Sequence, residues 1–412
     1  MFELKYIVLL FAFNLVVFSI TMIISISDAI AATENSCISF DAKEQEISVT
    51  CKYANFADIE NQLQNQNILY RESSPNNFND KNWILNAGIR VEEDATLNID
   101  SDGDDITWLK IVPSANKPNA IKVDGSLKVN GVKITSWNPQ TKDYVYFSDE
   151  TKYNDTKYTE EIRPYIKVNS DATGPTIIQN SELAYLGYSC NGCGGVSFNG
   201  GEYSILKNND IHHIYKGFYS KGMGYMLIEG NRVYENEKYG IDPHSRTHHM
   251  IIRNNTVYDN YNAGIICSAN CSNILIEENK VYNNGHGDNM RGIAVSKNVS
   301  NTIIKNNIVY DEDKCISIGR DSFDNIVYNN ILLNCQYGVY VTKSSFNNEI
   351  RDNKITNVEY GLVATDESIK NLFHSNTITD VKVDVAAQDK SSIGNAFKNN
   401  KKIVSFDTLE RK

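Results

Sequence analysis

From about residue 204 to residue 380 the apolar and polar positions recur in a fixed order: an apolar pair, two variable residues, Asn, then apolar-Tyr-x-Asn, and about five residues later Gly with a second apolar pair. The unit is visible in residues 226–241 (MLIEGNRVYENEKYGI), 250–266 (MIIRNNTVYDNYNAGII) and 348–363 (NEIRDNKITNVEYGLV). Its Asn falls at 209, 231, 255, 279, 307, 330, 353 and 376, in steps of 22, 24, 24, 28, 23, 23 and 23. Gly keeps step at 217, 240, 264, 292, 338 and 361, with Cys315 in its place once. A period near 23 is too short for a propeller blade or a two-helix repeat, and the apolar residues alternate as strands do. Each unit is therefore predicted to be one coil of a right-handed parallel β-helix, an all-β solenoid whose coils stack about 4.8 Å apart. The Asn repeat has a mechanical reading: Asn tolerates left-handed bends, and amides in successive coils form hydrogen-bonded ladders. The step of 28 predicts a bulge at Gly285-His286-Gly287-Asp288.

Upstream, Phe56 to Leu69 reads as the only helix, a short N-terminal cap over the open edge of the solenoid. Residues 32–86 then form a hairpin and helical cap, 87–400 the β-helix with regular repeats over 204–400, and 401–412 a basic tail. Trp137–Glu161 is expected as a long loop, and the whole as one elongated domain. Residues 1–31, with Lys5 before an apolar run from Ile7 to Ile24 and Ala29-Ile30-Ala31, read as a secretory signal, the alternative being an uncleaved membrane anchor. Either places the remainder outside the cytoplasm, secreted or at the cell surface.

About fifty Asn residues at the expense of helix formers suit a fold of turns and short strands. A net charge of -11 disfavours nucleic acid as a partner. Residues 205–320, however, carry 13 Lys/Arg against 12 Asp/Glu, so the acidity is kept away from that stretch. Eight Cys in an exported chain favour disulfides. Cys37 with Cys51 is the leading pair, Cys190–Cys193 and Cys267–Cys271 could close small loops, and Cys315 and Cys335 have only each other. His248 and His249 follow closely on His244, but no carboxylate or Cys joins them at ligand spacing. No metal site and no cofactor is expected, nothing indicates calcium, and the chain is expected to act as a monomer.

One coil breaks the pattern. After Tyr239-Gly240-Ile241 come Asp242-Pro243-His244, and a proline inside a central strand forfeits a ladder hydrogen bond. Alternation puts Asp242 and His244 on one face with Pro243 on the other. Subtracting one period, with Gly217 aligned to Gly240, stacks Tyr219 beneath Asp242 and Lys221 beneath His244. Four titratable groups then meet on adjacent rungs.

YGIDPH (239–244) resembles the Tyr-Gly-apolar-Asp-Pro-His signature of the mannuronan C5-epimerases, which convert mannuronate to guluronate within alginate. SELAYLGY (181–188), NDIHHIYKGFYS (209–220) and MIIRNNTVYDN (250–260) are similar to the surrounding rungs of β-helical members. The resemblance implies His244 as catalytic base, Tyr239 as the signature tyrosine and Asp242 as the supporting acid, with an anionic polyuronate as substrate. Lys221 is assigned by rung arithmetic alone. Two departures stand out: Ala269 occupies the place of an Arg thought to neutralise the substrate carboxylate, and Ser245 replaces a second Asp. Epimerisation needs a cation at the carboxylate before the C5 proton can leave; Lys221 is the first candidate, and Arg246, Lys297 and Arg291 join Tyr219 as substrate-binding residues. The rival functions are a uronate lyase working by β-elimination and a non-catalytic glycan-binding or scaffold β-helix.

Overall fold

Stacking is governed by the corners, where a chain that turns inside the protein must find partners for its main-chain groups. The computed structural model describes residues 36–72, 81–103, 106–114, 117–146, 162–190, 192–285 and 291–403, and Cys37–Lys412 forms one compact unit. The proposed signal or anchor at 1–31, most of the 137–161 loop and the end of the basic tail lie outside the described residues.

The protein is a right-handed β-solenoid of about twelve coils. Each regular coil contributes three parallel strands, exemplified by Tyr239–His244 in a first sheet, Ile251–Arg253 in a second and Thr256–Tyr258 in a third. In the three-residue strands only the central side chain is buried, so Ile228, Ile252 and Ile276 line the core from one sheet and Val233, Val257 and Val281 from another. The third sheet also carries Tyr234, Tyr258, Tyr282 and Tyr310 on its outer side, stacked ring on ring 4.8–5.0 Å apart.

The predicted Asn corner is present in register. Asn231 Nδ2 donates to Leu206 O (2.8 Å) and to Asn255 Oδ1 (2.9 Å), which also accepts from Asn231 N (2.9 Å). The same bonds recur from Asn209 to Asn400. The ladder asparagines are not the left-handed residues, though. That conformation belongs to the residue before them, as at Asn208 (φ 54), Asn254 (φ 55) and Asn306 (φ 56). Two further ladders were not anticipated: Asn236–Asn260–Asn284 and Asn325–Asn348–Asn371–Asn395. The long step enters where expected, because Tyr258 pairs with Tyr282 but Ala263 with Arg291. The extra residues therefore lie between Asn284 and Arg291; of the predicted bulge only Gly285 is described.

At the N-terminus Ile38–Asp41 and Glu46–Val49 form the expected hairpin, and Glu46–Val49 runs parallel to Gly88–Val91 as the first rung. The helix is shorter than the sequence suggested. It spans Phe56–Leu63, with an Asn55–Asp58 capping box, and stops at Gln64 in the left-handed conformation. Leu69–Arg71 instead pairs antiparallel with Asn82–Leu85, which buries Leu69. Phe56 and Ile59 are buried, and the Phe56 and Trp83 rings meet edge to face with centroids 6.0 Å apart.

Cys37–Cys51, Cys190–Cys193 and Cys315–Cys335 are disulfides. Cys267 and Cys271 are not: both are fully buried free thiols. Cys267 continues the inward column of Ser220 and Pro243, and the Cys271 thiol donates to Ser268 O (3.0 Å), so each serves as a small core residue. Cys315, in the Gly position, coincides with another exception. Glu312 takes the next Asn place, its Oε1 accepting from Asn284 N (3.1 Å) and Nδ2 (2.8 Å) while Oε2 is buried without a partner.

Two outcomes follow from the corners. Asn255→Ala removes the acceptor for two Asn231 groups and the donor to Ile228 O, so thermal or urea unfolding should show a loss of about 2–4 kcal/mol. Burial pushes the Glu312 carboxyl up to about 8. Its folded value lies above its unfolded one, so its contribution is present at low pH and is lost as pH rises through about 8. Glu312→Gln keeps the acceptor and does not ionise, so its melting temperature relative to the wild type's should rise as pH increases from about 4.5 to about 8 and level off above that; an unchanged difference between pH 5 and pH 9 would contradict this burial.

Candidate functional site

Strands of the first sheet are six residues long at the coils of interest, Lys216–Lys221, Tyr239–His244 and Ala263–Ser268, so they offer several outward positions where the other sheets offer two. The register is the one that the period implied: Phe218↔Ile241, Tyr219↔Asp242, Ser220↔Pro243 and Lys221↔His244. Toward the next coil, Tyr239 pairs with Ala263, Ile241 with Ile265 and His244 with Ser268, and the ladder skips Asp242 and Pro243. Pro243 has no N–H to give, and its side chain lies in the inward column while Asp242 and His244 face out.

Outward does not mean exposed. Asp242 is 1% accessible; its Oδ2 lies 3.3 Å from Lys216 Nζ, and its Oδ1 has no partner. Burial raises the Asp242 carboxyl to about 6 against the pull of Lys216, and burial likewise depresses the Lys216 ammonium. Lys216 Nζ sits 4.0 Å from the Tyr219 ring centroid and 5.9 Å from that of Tyr239. The Tyr219 ring lies 5.7 Å from the His244 imidazole, whose Nδ1 is 2.5 Å from Ser245 Oγ. Burial, followed by Lys216, Lys297, Lys221 and Lys238, lowers His244 to about 4. The ring is therefore a neutral base at physiological pH. Tyr239, mostly buried, is pushed up by burial and by Asp242, so it keeps its proton.

The structure thus brings together Tyr219, Tyr239, Asp242 and His244 with Lys221, which is exposed beside the imidazole. Arg246 is exposed on the turn just after His244. Lys297 stands two coils on in the column that begins at Ser245 and passes through Ala269. Arg291 belongs to the Tyr239 column, also two coils on, with Ala263 between. Lys216 was missed by the sequence reading. The signal was available, since Lys216 precedes Gly217 as Tyr239 precedes Gly240, and the same subtraction places it under Tyr239.

Two six-residue outer strands on adjacent parallel coils, bearing between them an acid, an imidazole and two phenols, define the class: a right-handed β-helix protein with a polar site on its first sheet. Two family models agree with the coil, one described as a right-handed beta helix region, matching residues 120–291, and one as the periplasmic copper-binding protein NosD, matching 266–407. Among relatives, the chain is 26% identical over 182 residues to a mannuronan C5-epimerase of Pseudomonas aeruginosa, covering 40% of this chain and 30% of that protein. It is 24% identical over 220 residues to the mannuronan C5-epimerase of Pseudomonas syringae pv. tomato, covering 50% and 36%. The match thus spans about a third of each relative's length. Among solved structures, the periplasmic alginate epimerase AlgG superposes with a TM-score of 0.70 at 21% identity over 87% of this chain and 85% of that one. The A-module of the Azotobacter vinelandii mannuronan C-5 epimerase AlgE6 superposes at 0.51 and 14%, over 78% and 88%. As for copper, no group of three or more His, Cys, Asp or Glu is placed to hold a metal ion among the described residues.

The burial of His244 is open to direct measurement. Its ring resonances should titrate with a midpoint near pH 4 in NMR, and Lys297→Ala or Lys221→Ala should move that midpoint up, because each ammonium disfavours the imidazolium. A midpoint at 6.5 would show a solvated ring instead.

Proposed function

We propose that this chain epimerises C5 of β-D-mannuronate to α-L-guluronate within an alginate-like polyuronate, acting outside the cytoplasm. The observation that carries the reading is the His244 imidazole, 5.7 Å from the Tyr219 ring and in register with Lys221, on a rung whose Asp242 lies 3.3 Å from Lys216 Nζ. The similarity to mannuronan C5-epimerases over 40% of the chain supports it, and the disulfides support an oxidising compartment.

The C5 proton of a uronate leaves only if the charge that develops on its carboxylate is compensated. Lys221, exposed and in register with His244, supplies the compensating charge. His244 takes the proton from C5, and the electron pair of the C–H bond moves into the carboxylate as an enediolate. A proton delivered to C5 from the opposite face returns the pair and inverts the centre. Tyr239 fits that role because burial keeps its phenol protonated. The two protons are then restored by exchange with water, so nothing is gained or lost overall. Asp242 does not need to move a proton: its pairing with Lys216 fixes the ammonium that separates the two tyrosines.

Incubation with mannuronan, followed by proton NMR for guluronate and by absorbance for unsaturated ends, tests the reading against β-elimination. His244→Gln removes the base while keeping bulk, and C5 exchange with solvent should fall about 10²–10⁴-fold with polymer binding retained. Tyr239→Phe is the sharper probe. Solvent deuterium should still enter C5 of mannuronate while guluronate formation stops; unchanged guluronate yield would remove Tyr239 from the role of donor.

A further inference from the structure

The turn that follows each first-sheet strand carries one column of side chains, fixed from coil to coil by main-chain bonds such as Ser245 N to Ser268 O (3.0 Å), Ala269 N to Ser296 O (3.0 Å) and Lys297 N to Gly319 O (3.2 Å). From the coil of His244 onward this column reads Ser245, Ala269, Lys297, Arg320, Lys343 and Asp366. Three exposed cations stand on consecutive coils, along an open trough of about 450 Å³ that starts at Ala269 beside the His244 rung and runs past all three.

Such a run is unusual for this molecule. On the second sheet the outward column Lys207, Glu229, Arg253, Glu277, Lys305 alternates in sign, and its members pair: Lys207–Glu229 at 2.9 Å, Arg253–Glu229 at 2.8 Å, Lys305–Glu277 at 3.1 Å. Stacked charges that serve the scaffold are thus neutralised by their neighbours. Lys297, Arg320 and Lys343 break that rule. No ion pair joins them to an acidic group among the described residues, although Asp321 lines the same trough. Like charges one coil apart repel, so the column costs stability unless an external anion is bound. The run also has two ends. Before it the column holds Gly222, Ser245 and Ala269, and after it Asp366, whose N–H donates to Asp389 Oδ2 (2.8 Å), turns the sign negative.

Resting on the proposed polyuronate reading, we infer that Lys297, Arg320 and Lys343 form a carboxylate track of three subsites that binds the polymer on one side of the reacting unit and ends at Asp366. Coils advance by about 4.8 Å, close to the length of one pyranose unit, so each coil accompanies about one sugar. The track begins two coils from His244 and ends four coils from it. Binding should therefore strengthen with chain length until an oligomer reaches Lys343, and then level off.

The test uses full-length protein in the His244→Gln background, where turnover does not consume the probe, and size-fractionated mannuronate oligomers from dimer to decamer in a titration. The parent should bind long oligomers better than short ones. Adding Arg320→Ala and Lys343→Ala should weaken the longest oligomers at least tenfold and leave the shortest unchanged. Lys305→Ala, an equal loss of charge on the second sheet, should change either by less than twofold. The track is overturned if the double variant matches the parent at every length, including the case in which neither binds, or if Lys305→Ala loses as much. A parallel NMR product assay on Arg320→Ala/Lys343→Ala with His244 intact separates the two claims. Length-dependent binding without guluronate from any variant leaves the track and removes the epimerase, whereas guluronate formation with no dependence on these cations does the reverse.

Discussion

The asparagine amide at each corner is the interaction on which the rest of this molecule depends. A buried turn strands main-chain groups that water cannot reach, and one Asn side chain answers two of them on the preceding coil, as Asn255 does in donating to Ile228 O and accepting from Asn231 N. Because the acceptor of each amide is the next amide, the coils cannot slip by a residue without losing every bond in the column. The Gly repeat is a consequence. A Cβ at Gly240 would lie 2.7 Å from Gly264 O and 2.9 Å from Asn260 Nδ2, so glycine is there to let the second Asn ladder approach the strand, although its φ is ordinary. Where Gly gives way to Cys315 the ladder changes too: Glu312 replaces Asn, and Cys335, the next residue in that column, bonds to Cys315. These three exceptions are one structural event.

Locked register turns a linear period into columns, and columns make the site. A proline in the middle of a strand is tolerable at 243 because the strand is six residues long and is held on either side of the proline, at Tyr239 and Ile241 and at His244. The interrupted ladder leaves Asp242 in a desolvated pocket. That pocket is what sets the chemistry, since it keeps the carboxyl near 6, draws Lys216 in, and leaves the adjacent imidazole ringed by cations and neutral.

The solenoid, its corner asparagines, the first disulfide and the Tyr219/Asp242 and Lys221/His244 stacks were legible because all depend on spacing, and spacing survives any choice of side chain at the intervening positions. What was not legible depends on direction. Cys267 and Cys271 sit close in sequence, yet alternation had already sent Cys267 into the core behind Pro243. The apolar-polar pattern of 56–69 gave no stop, yet Gln64 turned left-handed and released Leu69 to a strand. Lys216 does not stand out in the sequence because a lysine beside Gly217 breaks no repeat, and its partner, the buried Asp242, lies on another coil.

The one coil that departs from the period shows how scaffold and surface are kept together. Between Asn279 and Asn307 the chain advances 28 residues instead of 23 or 24, and a slip there would have moved every later side chain to another column. It does not, because the extra residues are confined between Asn284 and Arg291, after one ladder bond is made and before the next strand begins. Asn279 still meets Asn307, and Ala269 still meets Lys297, both across the same 28 residues. The insertion is therefore invisible to the corner and to the cation column alike. The same amide that satisfies the backbone at Asn279 thus determines that a lysine, rather than the serine or asparagine beside it, follows Ala269 along the face that begins at His244.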